Sequence, residues 1–162
     1  MASTYEPIAT YTLPSNGSTY TFSSIPSTYT DVVVIGNSAQ TATGQWVALR
    51  FNGDSGTNYS DTVLEGNGST AASYREANLN RVQMVYQLGT DSTYGTTIWN
   101  VMNYANTSTY KTVLGRWNYA GNGTSAGVST WRSTAAINSI TVFSSGTMTA
   151  GSTFTLYGIK AA

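Results

Sequence analysis

The spacing of apolar residues limits this chain more than any other feature. In "QWVALRFN", Val47, Leu49 and Phe51 fall on one side, and Trp46, Ala48 and Arg50 on the other. A period of two marks a strand with one covered face. Comparable short runs recur throughout: "PIATYTL", "STYTFSSI", "DTVLEG", "RVQMVYQL", "TTIWNVMNY", "TYKTVLGRWNY", "VSTWRS", "NSITVFSS" and "STFTLYGIK". "DVVVIG" is apolar without alternation, which predicts a strand covered on both faces. Between the runs lie loops rich in Gly and Asn, such as "NGDSGTNYS", "EGNGSTAAS" and "YAGNGTSAG". Both residues tolerate positive φ and so favour tight turns.

Helix signals are poor, because Gly, Thr, Ser, Asn and Tyr dominate and are mediocre or bad helix formers. The pattern predicts an all-β chain, an antiparallel β-sandwich or jelly roll of about eight to ten strands. "AASYREANLN", Ala71 to Asn80, lacks the alternation and reads as loop or irregular strand. No shift in composition marks a second domain. The expected division is an N-terminal arm over residues 1–10 and a single sandwich domain over 11–162. "GSTFTLYGIKAA" carries Phe154 and Leu156 on one face and Tyr157 and Ile159 on the other. That two-sided pattern predicts a central strand that closes the fold against much earlier segments.

Composition narrows function. The sequence has no histidine and no cysteine. This removes the commonest general base, every thiolate ligand and any Ser-His-Asp or Cys-His arrangement. Charged residues make up 9% and the net charge is zero, against about 25% in an average soluble domain. There is no basic stripe for nucleic acid and no basic face for a membrane surface. No stretch reaches the length of a membrane span, and "MASTYEPIAT" lacks the charged and apolar regions of a signal peptide. Synthesis in a cytoplasm is the expectation.

Three polar features have both a chemical and a structural reading. Asp61 and Glu65 share a strand face, but four residues separate them by about 13 Å, long for the carboxyl pair of a glycosidase. Glu76 is the remaining candidate partner. Asn52, Asp54, Asn58 and Asp61 offer oxygens at close spacing, yet they miss the EF-hand pattern. A polar loop that caps its own backbone is the expected role. N-x-S/T triplets begin at Asn16, Asn58, Asn67, Asn106 and Asn122, as chance provides in so hydroxyl-rich a chain. No catalytic, metal or cofactor site is expected.

The aromatics carry more weight. Trp46, Trp99, Trp117 and Trp131, with Tyr86, Tyr104, Tyr110 and Tyr119, are able to form a sugar-stacking platform. A sandwich core and a subunit interface use the same residues, and structural use of most of them is expected. Arg50, Arg116 and Arg132 alternate with apolar neighbours, positioned to pair with a neighbouring subunit or to be solvated.

"VALRFNGDSGTNYS", "YANTSTYKTVLGR", "WRSTAAINSITVFSSGTMTAGSTFTLYGIKAA" and "YTFSSIPSTYTDVVVIG" together resemble a family of small virion proteins of tailed bacteriophages, of the cyanophage and aquatic-phage type. The resemblance runs from about Tyr5 to the end and rests on structural patterns, not on catalytic motifs. It implies a β-sandwich or jelly-roll domain serving as a capsid decoration (cement) protein or as a tail or fibre component. A single compact domain favours decoration. The implied partner is the major capsid protein on the capsid exterior, with the chain itself a dimer or trimer. The alternative is a tail component or a module binding host-surface glycan. The interface candidates are Tyr5, Tyr11, Tyr59, Arg116, Trp117, Tyr119, Trp131 and Arg132.

Overall fold

The computed structural model describes residues 4–82, 93–119, 121 and 123–160. In chain order the strands are β1 (Tyr5–Thr12), β2 (Gly17–Phe22), β3 (Asp31–Ser38), β4 (Val47–Phe51), β5 (Tyr59–Gly66) and β6 (Ala71–Leu79). They continue as β7 (Gly95–Met102), β8 (Lys111–Tyr119), β9 (Gly123–Trp131), β10 (Ile140–Met148) and β11 (Thr153–Ile159). All pairings are antiparallel. An eight-stranded sheet runs β1-β11-β3-β7-β8-β9-β5-β6, and a three-stranded sheet runs β2-β10-β4. The fold is the all-β sandwich that the alternation requires, with eleven strands among the described residues where about eight to ten were expected.

The core lies between the sheets. Val34, Trp99, Phe154 and Leu156 from the large sheet meet Phe22, Leu49, Ile140 and Val142 from the small one. The hairpins β1–β2 and β10–β11 each place one strand in either sheet, so the two hairpins cross-brace the sandwich. β11 lies between β1 and β3, with Thr155 opposite both Thr10 and Ile35. Phe154 and Leu156 are 1% and 0% exposed, each burial being worth about 1.5–3 kcal/mol. Gly151, at φ 87°, starts β11; a side chain there would be strained.

One expectation changes and a second is sharpened. From Tyr5 onward the supposed arm is an edge strand, registered from Tyr5 opposite Ile159 to Thr12 opposite Thr153. Its threonines pair with those of β11: the hydroxyls of Thr10 and Thr155 lie 3.1 Å apart, and those of Thr12 and Thr153 3.0 Å. Ala71–Leu79 is a strand and not a loop, in register with β5 from Ala71 to Ala77 and irregular at Asn78, where φ is 59° and the pairing shifts. Its pattern was silent because no side chain from Ala71 to Asn78 is buried. Of "RVQMVYQL", only Arg81 and Val82 are among the described residues. Val82 exchanges backbone hydrogen bonds of 2.9 and 3.0 Å with Leu49 on β4.

Candidate docking surface

The expected interface residues separate into two groups. Tyr59, Trp117 and Trp131 are 0%, 5% and 2% exposed, so they belong to the core and not to a surface. The face of each strand explains this. Tyr59, Val63, Val113, Trp117 and Trp131 all point toward the small sheet. Tyr59 and Trp131 stack at 6.2 Å between ring centroids, with Phe51 against both. The Trp131 Nε1–H donates to Asp54 Oδ2 at 2.7 Å, and the Tyr59 hydroxyl donates to the Asp54 carbonyl at 3.1 Å. Burial pushes the Tyr59 hydroxyl up to about 12, so it stays a neutral donor.

Tyr11 stacks on Tyr20 at 3.7 Å and closes one rim between the sheets. Arg132 is a loop clasp, donating from Nη2 to the Thr57 carbonyl at 2.6 Å and to Asn78 Oδ1 at 3.2 Å. Tyr5 is exposed and lies edge-on to Tyr157. Arg116 is exposed on the face of the large sheet turned away from the small one. Tyr119 ends β8, and its side chain lies outside the described residues.

The polar loop behaves as a cap. Asp54 Oδ1 accepts from the Gly56 N–H at 2.8 Å, and Oδ2 accepts from Asn58 Nδ2 at 2.9 Å. Burial raises the Asp54 carboxyl. The hydrogen bonds from Trp131, Asn58 and Gly56 outweigh that and hold it below the usual carboxylate range. Asn52 Oδ1 accepts from the Asn138 and Ser139 N–H groups at 2.9 and 3.2 Å. Of the residues weighed as calcium ligands, Asn52 and Asp54 thus use their side-chain oxygens to hold loops together, Asn58 donates its amide to Asp54, and Asp61 is buried within β5. Asn67 and Asn106, each heading an N-x-S/T triplet, are turn caps as well. Asn67 Oδ1 takes the N–H of Ser69 and Thr70 at 3.0 and 2.8 Å, and Asn106 Oδ1 those of Ser108 and Thr109 at 2.7 and 2.9 Å. Lys111 is buried, and its ammonium donates to the Thr109 and Thr134 carbonyls at 2.9 and 3.3 Å.

The carboxyl candidates do meet in part: Asp61 and Glu76 are directly opposite on β5 and β6. The Arg81 guanidinium is within electrostatic reach of both. Arg81 also covers the Trp46 ring at 4.1 Å, Trp46 lies edge-on to Phe143, and Arg50 covers Phe143 at 4.5 Å. With Trp99, Trp117 and Trp131 buried and one face of Trp46 taken, the four tryptophans form no sugar platform.

The outer face of the large sheet carries a surface that the strand patterns did not announce. Leu64, Leu114 and Val128 are 63%, 43% and 44% exposed. The register sets Asn100, Leu114, Val128 and Thr62 side by side across β7, β8, β9 and β5. Ile98, Arg116, Ala126 and Leu64 form the adjacent row. Between the rows runs an open groove of about 510 Å³. The signal was the doublet "VL" in "DTVLEG" and again in "KTVLGRW": when Val63 and Val113 face the core, Leu64 and Leu114 must face out. This surface offers apolar contact and one guanidinium, a chemistry of docking. No protein-family model matches the chain, and no curated protein matches it.

Proposed function

We propose that the chain is a structural protein of a tailed-phage virion, a decoration (cement) protein seated on the outside of the capsid at joints between major capsid subunits. One observation carries this reading: Leu64, Leu114 and Val128 stand together, exposed, on the outer face of a wide rigid sheet. Clustered exposed apolar side chains mark interaction sites. Covering them removes apolar surface from water at about 25 cal/mol per Å². That gain, repeated at every copy, holds a shell together against internal pressure.

The loop clasps serve the same end. Asn52, Asp54, Asn67, Asn106, Lys111 and Arg132 fix their loops through hydrogen bonds, so little ordering remains to oppose binding. With charged residues at 9% and zero net charge, steering by the overall field is weak. The complex is therefore expected to tolerate salt. The test is co-sedimentation of the purified protein with heads that lack it, in low and high salt. Binding that survives high salt and is lost in Leu114→Asp supports the reading. Binding indifferent to Leu114→Asp, or no binding at all, overturns it.

A further inference from the structure

We infer that the chain forms a two-fold dimer through β6, with Tyr74 of one copy facing Tyr74 of the other and the large sheets joined edge to edge. The inference stands apart from the capsid reading, since it concerns the isolated protein.

β6 is an edge strand of nine residues in which Ala71 to Asn78 are all exposed, on both faces. Among the described residues it is paired with β5 alone, and its side chains contribute almost no burial. The hydrogen-bonding direction of each residue follows from the ladder. The Asn67 N–H donates to the Thr70 carbonyl at 3.2 Å, so these two are a hydrogen-bonded pair. Hydrogen-bonded pairs recur every second residue in an antiparallel ladder. Ala72, Tyr74 and Glu76 therefore direct their backbone groups at Glu65, Val63 and Asp61. The far side of β5 agrees: the Arg132 N–H donates to the Asn58 carbonyl at 2.8 Å, which turns the even-numbered residues of β5 toward β9. The N–H and C=O groups of Ala71, Ser73, Arg75 and Ala77 consequently point away from the sheet.

Two of the other edges are guarded against added strands. β1 carries Pro7 and a register shift between Pro7 and Ala9. β4 has Leu49 bridged to Val82. Between Ala71 and Ala77, β6 has neither a proline nor a shift, and such an edge is a template for pairing.

A second copy fits this edge by symmetry. Two-fold antiparallel pairing sets one residue opposite itself. Centring on Arg75 or Glu76 would oppose like charges, which is unfavourable. Centring on Tyr74 places Ser73 opposite Arg75, Ala72 opposite Glu76 and Ala71 opposite Ala77, so the whole segment is covered by its counterpart. Tyr74 then occupies a non-hydrogen-bonded position, where facing Cα atoms lie about 4.5 Å apart and side chains are closest. The two-fold axis is perpendicular to the sheet, so both copies of the Leu64–Leu114–Val128 surface face the same way.

The experiment uses sedimentation equilibrium and single cysteines in a chain that has none. The wild type should sediment as a dimer. Ser73→Pro removes an outward N–H and no bond to β5, so it should halve the sedimenting mass while the chain stays folded. On mild oxidation Tyr74→Cys should convert mostly to a cross-linked dimer, because facing Cα atoms at that distance accept a disulfide. Ala72→Cys, opposite Glu76, should stay largely uncross-linked. A wild type that remains monomeric to its solubility limit overturns the inference. So does a dimer that survives Ser73→Pro, or cross-linking at position 72 as fast as at 74. Should Ser73→Pro fail to fold, the comparison of the two cysteines decides alone.

Discussion

Asp54 shows how a loop residue comes to support the core. Its carboxylate caps Gly56 and Asn58 on one side and receives the buried Trp131 indole on the other. Replacing it with Ala leaves that N–H unpaired, and the expected loss is about 1–3 kcal/mol of unfolding free energy in urea titration. Its folded-state pKa lies below that of the unfolded chain, which is about 3.9. Its stabilisation is therefore complete above that pH and fades as pH falls through the folded value. Melting temperatures followed from about pH 6 to about pH 2 should fall more steeply for the wild type than for Asp54→Asn. Parallel curves would show that Asp54 is not the group responsible. Gly36 is a second single-residue constraint. A Cβ there would come within 2.7 Å of the Phe154 ring, with Trp99 at 3.8 Å. Gly36→Ala is expected to cost about 1–3 kcal/mol by overpacking, read by thermal unfolding. The polar role of the Asp54 loop was legible in its Asn and Asp content. That Trp131 would anchor it was not, because the contact spans 77 residues.

Among the elements, β11 was the most legible and β6 the least. The two-sided apolar pattern of "TFTLYGI" belongs to a strand with neighbours on both edges, and β11 has β1 and β3. Deleting Phe154 to Ala162 strips the paired edge from both neighbours and should leave an insoluble or unfolded chain. Soluble, β-rich material with a cooperative melt after that deletion would contradict this. Leu156→Ala, a milder probe, should cost about 2–5 kcal/mol in chemical denaturation. β6 reads only as loop or irregular strand for the opposite reason: with Ala71 to Asn78 exposed, nothing selects apolar residues on either face. Periodicity reports burial, and a strand without burial has none to report. The supposed arm was misread through a related gap. β1 alternates threonine with half-buried residues, and its partner β11 lies more than a hundred residues away, as the 145-residue separation of Thr10 and Thr155 illustrates.

At the scale of the whole molecule, what the chain does follows from its surfaces. Three of the four tryptophans go to the core and Arg81 covers one face of Trp46, while the exposed leucines sit inside strand patterns that read as purely structural. The surface that results is apolar, weakly charged and shallowly grooved, on a body in which several of the described loops are held by hydrogen bonds. Such a body is suited to being one rigid piece of a larger shell. The most direct measurement of the proposed role is a reconstruction of tailed-phage heads assembled with this protein. The account predicts density for the two-sheet sandwich at symmetry-related positions on the capsid exterior, with Leu64, Leu114 and Val128 turned toward the major capsid protein. Density confined to the tail, or a seated protein with those three side chains facing solvent, would contradict it.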